Sequence, residues 1–338
     1  MENRVKAILN AIVESYIQTA EPVGSRTLSK QLDIGLSPAT IRNVMADLSE
    51  QGYLEQPHTS AGRIPTDKAY RFFVDSLVTA PTLSDEIRAM IDEAVGESTP
   101  NLEKMLANTT KVLAGLTQFT GVVAAPRVNT TCLKLIEFIK MSSRQIFIVL
   151  ISQSNMVHNK IIDVSEDFSQ EFLNSVARFL NAQFGERSLM DIRSHVLETL
   201  VEEKEQYDQL LAQAARLSKK AFDISDDREL YVEGQYNIVK DFQDIGKFQR
   251  LLKALEEKIA ILDILDRTLT AKGVHIYIGT ENSLDDLQDC SVITANYGNG
   301  SQVLGALGVI GPTRMDYFRI IPIINYTAKI LTQSITAG

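Results

Sequence analysis

The chain has 338 residues, 44% hydrophobic and 23% charged, with a net charge of −9. At roughly 100–200 residues per domain, this length predicts two or three domains, and the apolar fraction excludes wholesale disorder. No apolar run approaches the roughly 18 residues needed to cross a bilayer, and the two cysteines and four histidines lack ligand spacing, so the expectation is a cytoplasmic protein without metal or cofactor. Residues 1–80 hold eight Lys/Arg and nine Asp/Glu, so the acidity belongs to the remainder. Any DNA binding must then come from a few placed residues on one face rather than from bulk charge.

The first element is an amphipathic helix, with Val5, Ile8, Leu9, Ile12, Val13 and Tyr16 at i, i+3, i+4 spacing. Pro22-Val23-Gly24 ends it, and Ser25 is placed to cap a short second helix through Gln31. Ser37-Pro38 supplies a capping hydroxyl and an N1 proline for a third helix, which Gly52 stops. Tyr53–Gln56 and Arg63-Ile64 read as strands around a polar tip, and Thr66 as the cap of a fourth helix bearing Tyr70, Phe73, Val74 and Leu77. Residues 81–100 read as a hinge. Strands follow near 121–125, 132–141, 145–152 and 157–164, then a helix over 167–184 and a long helical stretch over 193–221. After a strand-like piece at 229–233 and a helix near 247–265, strands resume at 274–279, 291–295 and 302–310, with a helical C-terminus. The pattern predicts an α+β multidomain protein: residues 1–80, a sheet domain split into 101–184 and 251–338, and a mostly helical insertion over 185–250.

On a wheel of about 100° per residue, Ile41, Val44, Met45 and Leu48 of the third helix cluster on one side. Ala39, Asn43, Ala46 and Glu50 lie opposite, flanked by Thr40 and Arg42. Asn43 suits a bidentate contact to adenine in the major groove, and Arg42 suits guanine or a phosphate. Ser37 and the free N–H groups of the helix start suit a phosphate oxygen. Taken alone, such a helix is better explained by a solvated face. The order helix, helix, turn, helix, two-stranded wing, helix favours the DNA-binding reading.

Three long motifs resemble one family. They are Glu21-Pro22-Val23-Gly24-Ser25-Arg26, Ser37-Pro38-Ala39-Thr40-Ile41-Arg42-Asn43-Val44-Met45 and His58-Thr59-Ser60-Ala61-Gly62-Arg63-Ile64-Pro65-Thr66. They closely resemble the HrcA family of bacterial heat-inducible transcription repressors, and Gly308–Tyr317 extends the resemblance to the C-terminal region. The resemblance implies a winged-helix domain, a GAF-like α/β sheet domain and a dimerising segment inserted into it. It also implies repression of chaperone operons through an inverted-repeat operator in double-stranded DNA, with assistance from the chaperonin GroEL. The candidate DNA-binding set is then Arg26, Ser37, Thr40, Arg42, Asn43, His58, Thr59, Ser60 and Arg63.

Within the insertion, Leu200, Tyr207, Leu210, Leu211, Ala214 and Leu217 lie on an apolar stripe near heptad spacing. It packs either on its own domain or on a second copy, and reading two half-sites favours a homodimer. Gly298-Asn299-Gly300 matches no phosphate-binding loop, and Gly311-Pro312-Thr313 reads as a strand-to-helix turn with Thr313 as cap. Arg314 reads as a structural ion pair in preference to an anion contact, and His275 as packed or paired rather than a ligand. No serine sits in a G-x-S-x-G context, and the carboxylates at Glu202, Glu203, Glu205 and Asp208 read as a solvated helix face, so no enzyme is expected. Two rival readings are a winged helix that binds protein and a regulator with a small molecule in the GAF-like domain. DNA binding differs from the first in weakening steeply with salt.

Overall fold

The computed structural model describes residues 3–31, 36–58, 61–77, 82–96, 101–126, 132–153, 157–185, 187, 191–192, 217, 228–237, 245–269, 273–299 and 303–337. The fold mixes helix and sheet, beginning with a winged helix. Helices α1 (Asn3–Thr19), α2 (Ser25–Gln31) and α3 (Pro38–Glu50) bury Ile8, Leu9, Ile12, Val13, Leu28, Ile41, Met45 and Leu48 in a common core. Strands β1 (Leu54–Glu55) and β2 (Ile64–Pro65) pair antiparallel as the wing. Val23 joins them through an isolated bridge to Arg63, and α4 (Asp67–Ser76) closes the unit.

Three expected caps differ. Gly24 takes the position ahead of α2, its carbonyl accepting from the Thr27 and Leu28 amides, while Ser25 is the first helical residue and buried. Thr66 precedes α4, but its hydroxyl donates to the Gly52 and Tyr53 carbonyls at 2.8 and 3.1 Å, so α4 has no side-chain cap there. The C-terminal helix starts at Tyr317, and Asp316 Oδ1, not Thr313, accepts from the Arg319 amide.

Where only a hinge was expected there is a helix, α5 (Asp85–Gly96), with Ile91 and Val95 buried. An apolar face with those two residues in the core gives the segment a packed partner, α6 (Leu102–Thr117) and the C-terminal helix. The central sheet is antiparallel and five-stranded, in the order β7 (Leu230–Glu233), β3 (Thr120–Ala124), β10 (Val303–Pro312), β9 (Cys290–Gly298), β8 (Val274–Ile278). The period of two sorts its side chains. Val123, Ile293, Ala295, Leu307 and Val309 join the core with α6 and α10 (Tyr317–Ala337). Val122, Ala124, Val292, Ala306 and Ile310 join the core with α8 (Ile245–Glu256) and α9 (Lys258–Thr268). Helices on both faces explain why β3, β9 and β10 carry no charged residue and are buried almost throughout.

Strands β4 (Leu133–Lys140), β5 (Gln145–Ser152) and β6 (Val157–Asp163) were grouped with that sheet in the sequence reading. Among the described residues they pair only with one another, as a separate three-stranded sheet covered on one face by α7 (Gln170–Phe184). Their alternating burial is the physical sign of a sheet with one covered face. The free edge of β4 is closed by amides of α7. Asn181 exchanges two hydrogen bonds with the Ile136 backbone, and Gln170 bonds the Lys140 N–H and the Phe138 carbonyl. No helix among the described residues is long and apolar enough to cross a membrane.

Candidate nucleic-acid interface

The best-formed polar surface belongs to α3. Ser37 caps it, its Oγ accepting from the Thr40 amide at 3.1 Å and sharing a 2.9 Å hydrogen bond with the Thr40 hydroxyl. The serine cap and the N1 proline start the helix where both hydroxyls face solvent. Ile41, Met45 and Leu48 anchor the inner face. Ala39, Thr40, Arg42, Asn43, Ala46 and Asp47 are exposed on the outside. Small residues at 39 and 46 leave room for close approach to a groove. The Arg42 and Asn43 side chains make no hydrogen bond or ion pair within the described residues, so their donors remain available for base edges and phosphates.

The wing is fastened to this helix. Arg63 exchanges two 2.9 Å backbone hydrogen bonds with Val23, and its Nε donates to Ser49 Oγ at 3.0 Å on α3. Ser49 in turn donates to the Met45 carbonyl. Arg63 is thus half-buried, and one of its donors holds the wing on the helix. Gly62 is needed there, because a Cβ would lie 2.4 Å from the Val23 carbonyl oxygen. Gln56 Nε2 bonds the Ala61 carbonyl and the Ala61 amide bonds the His58 carbonyl, closing the tip.

Of the sequence-derived set, Ser37, Thr40, Arg42 and Asn43 lie together on exposed α3. Arg26 is exposed on α2, and His58 is exposed at the wing. Thr59 and Ser60 lie outside the described residues, as do Leu200, Tyr207, Leu210, Leu211 and Ala214 of the apolar stripe. Leu217 is buried in the core beneath the three-stranded sheet, and so does not present a free surface. Sequence reasoning missed Lys68, whose ammonium lies 4.4 Å over the Tyr53 ring and donates to the Gln51 carbonyl at the end of α3. A cation one helical turn beyond a wing strand was the available signal. It also missed Ser49, whose only signal was a small polar residue on an otherwise apolar flank of α3. Among the described residues no group of His, Cys, Asp and Glu is arranged to hold a metal.

Comparison with known proteins agrees with this geometry. Residues 1–76 match the family model described as winged helix-turn-helix transcription repressor, HrcA DNA-binding, and residues 103–321 match HrcA protein C terminal domain. The chain is 43% identical over 335 residues to the heat-inducible transcription repressor HrcA of Geobacter sulfurreducens, covering 98% of each chain. It is 41% identical over 337 residues to that of Syntrophobacter fumaroxidans, covering 98% of this chain and 97% of the relative. A crystal structure of a hypothetical protein, 23% identical, aligns over 100% of this chain and 99% of its own with a TM-score of 0.66, a likeness of fold.

Proposed function

Because this chain belongs to the HrcA family of heat-inducible transcription repressors, we propose that it represses heat-shock genes as a homodimer reading an inverted-repeat operator. It is a DNA-binding repressor and not an enzyme. The observation that carries the reading of the site is the outer face of α3, where Arg42 and Asn43 have no partner among the described residues and the wing is locked alongside. In this reading Asn43 and Arg42 read base edges, while Ser37, Thr40, Arg26 and the wing residues His58, Thr59, Ser60 and Arg63 meet the backbone. The antiparallel sheet between two helical layers supports the GAF-like assignment of the central domain.

For the dimer, the face of the three-stranded sheet turned away from α7 is a better surface than Leu217, which is buried. Rows of Leu135, Ile151 and Val157 and of Ile139, Phe147 and Ile161 lie across it, with Glu137, Val149 and Asn159 between. Val157 and Ile161 are each 56% exposed. With the β4 edge closed by Asn181 and Gln170, face-to-face packing of two copies is the association left open on that side. Such a dimer places the three-stranded sheet at the two-fold axis and one winged helix on each half-site. Activation by GroEL belongs to the same proposal, and a rise in the operator-competent fraction on adding the chaperonin tests it.

The deciding experiment is anisotropy of a labelled inverted repeat against a scrambled duplex across a salt series. The expected result is a preference for the repeat and a steep loss of affinity with salt. Binding that ignores salt overturns the DNA reading in favour of a protein-binding winged helix. Sedimentation of a Val157→Lys, Ile161→Lys variant tests the dimer: a folded monomer is expected, and an intact dimer places the interface elsewhere.

A further inference from the structure

The helix after the wing grips two domains at once. Thr66 and Lys68, at its start, bond the carbonyls of Gly52, Tyr53 and Gln51 in the turn that follows α3. Asp67 and Arg71, one turn apart on the same helix, reach the central domain instead. Asp67 Oδ2 accepts from the Thr280 amide at 2.9 Å and from its hydroxyl at 3.2 Å. Arg71 forks onto Glu281, its Nε donating to Oε1 at 2.8 Å and its Nη2 to Oε2, and Nη2 also meets the Ile276 carbonyl at 2.5 Å. Glu281 is held for this role, because its Oε2 also accepts from the Ile278 amide at 2.9 Å. Between them Gly279 turns at φ +54°, and a Cβ there would lie 2.0 Å from Asp67 Oδ2. Beside this polar cluster the buried Tyr70 and Tyr317 rings are tilted at 50° with centroids 6.1 Å apart, so the contact has an apolar floor as well.

We infer that Asp67 and Arg71, through Thr280 and Glu281, are positioning residues for operator recognition: they fix the direction in which the central domain presents α3, and with it the half-site spacing that a dimer reads. The geometry favours this over a merely stabilising ion pair in two respects. A planar fork and a carboxylate that accepts from two donors define an angle, which a single flexible pair does not. Neighbouring residues at the start of α4 hold the turn that ends α3 on one side and the central sheet on the other, so a change at Gly279–Glu281 is transmitted to α3 through that short turn. None of these four side chains lies on the exposed face of α3, so they act through its orientation and not through contact with DNA.

The inference rests on the two-half-site reading, and the test separates them. An inverted repeat selected on the wild-type protein is compared with one whose half-sites are moved by about 5 base pairs, half a helical turn, and with a single half-site. The wild type should prefer the selected spacing by about tenfold or more, since the shifted repeat engages only one winged helix at a time. Full-length Asp67→Ala and Glu281→Gln should keep the wild-type affinity for the single half-site while the spacing preference falls to about twofold. Asp67→Asn, which retains an acceptor for the Thr280 amide, should keep the preference. If the wild type shows no spacing preference, the two-half-site reading fails and this inference falls with it. If the wild type discriminates and both variants discriminate equally well, or lose single-site affinity in step with stability, the positioning role is overturned and the dimer reading stands.

Discussion

Replacing Gly62 by Ala isolates what holds the wing. The added Cβ would lie 2.4 Å from the Val23 carbonyl oxygen, 2.6 Å from its carbon and 2.8 Å from the Pro22 carbonyl carbon. All three are backbone atoms, so no flexible side-chain end can swing away. Relief requires the Val23–Arg63 bridge to open, with its two 2.9 Å hydrogen bonds. At about 0.5–1.5 kcal/mol net per hydrogen bond, that costs about 1–3 kcal/mol of winged-helix stability. Because Arg63 is also tied to Ser49, the wing then moves relative to α3, and affinity for operator and scrambled duplex should fall together. Guanidinium unfolding and anisotropy on the same preparation measure both effects. Arg63→Ala is the control, since it leaves the backbone bridge intact: it should lower affinity on every sequence and reduce the salt slope by about one unit, with a smaller loss of stability. Stability within about 0.5 kcal/mol of wild type and unaltered DNA affinity for Gly62→Ala would refute the packing argument.

Asn43→Ala should cost about 1–3 kcal/mol on the operator and leave scrambled DNA nearly untouched, because a bidentate base contact carries discrimination of that size; competition anisotropy reads it. Tyr70 is buried with no partner for its hydroxyl among the described residues, so Tyr70→Phe should leave the unfolding free energy unchanged or raise it by about 1 kcal/mol, and a clear destabilisation in denaturant would mean the hydroxyl is satisfied. Glu281 gives a pH dependence with a defined sign. Desolvation raises its carboxyl, but the hydrogen bonds from Arg71 and the Ile278 amide outweigh it and hold the group below the ordinary carboxylate range. A carboxyl lowered on folding stabilises above its unfolded value and loses that contribution as pH falls through the lowered one. The stability difference between wild type and Glu281→Gln should therefore be full at neutral pH and shrink on acidification, as urea midpoints along an acid series would register.

The parts legible in the sequence are those whose physics is local. Ser37-Pro38 announces the start of α3 because a hydroxyl cap and a missing amide both act within one turn. The 3.6 period places Ile41, Met45 and Leu48 inside, which leaves Arg42 and Asn43 outside by necessity. Thr66 shows the limit of that logic. The residue type is right for a cap and the position is right, yet its hydroxyl serves the carbonyls of Gly52 and Tyr53, brought close by the wing, which no pattern near residue 66 records.

Strand partnership is harder to read, because a strand's composition reports how many of its faces are covered and not by what. The distinction was nonetheless present. In β4 the exposed Lys134 and Glu137 interrupt the apolar residues, whereas β10 runs without charge from Val303 to Pro312. One pattern belongs to a sheet with an uncovered face, the other to a sheet between two helical layers, so the two groups of strands need not share a sheet. The contact between Arg71 and Glu281 has no such trace, since 210 residues separate them and each alone reads as an ordinary surface charge. Local pattern therefore reveals the exposed polar face of α3, while the angle at which that face is carried is set by pairings that only the folded chain brings together.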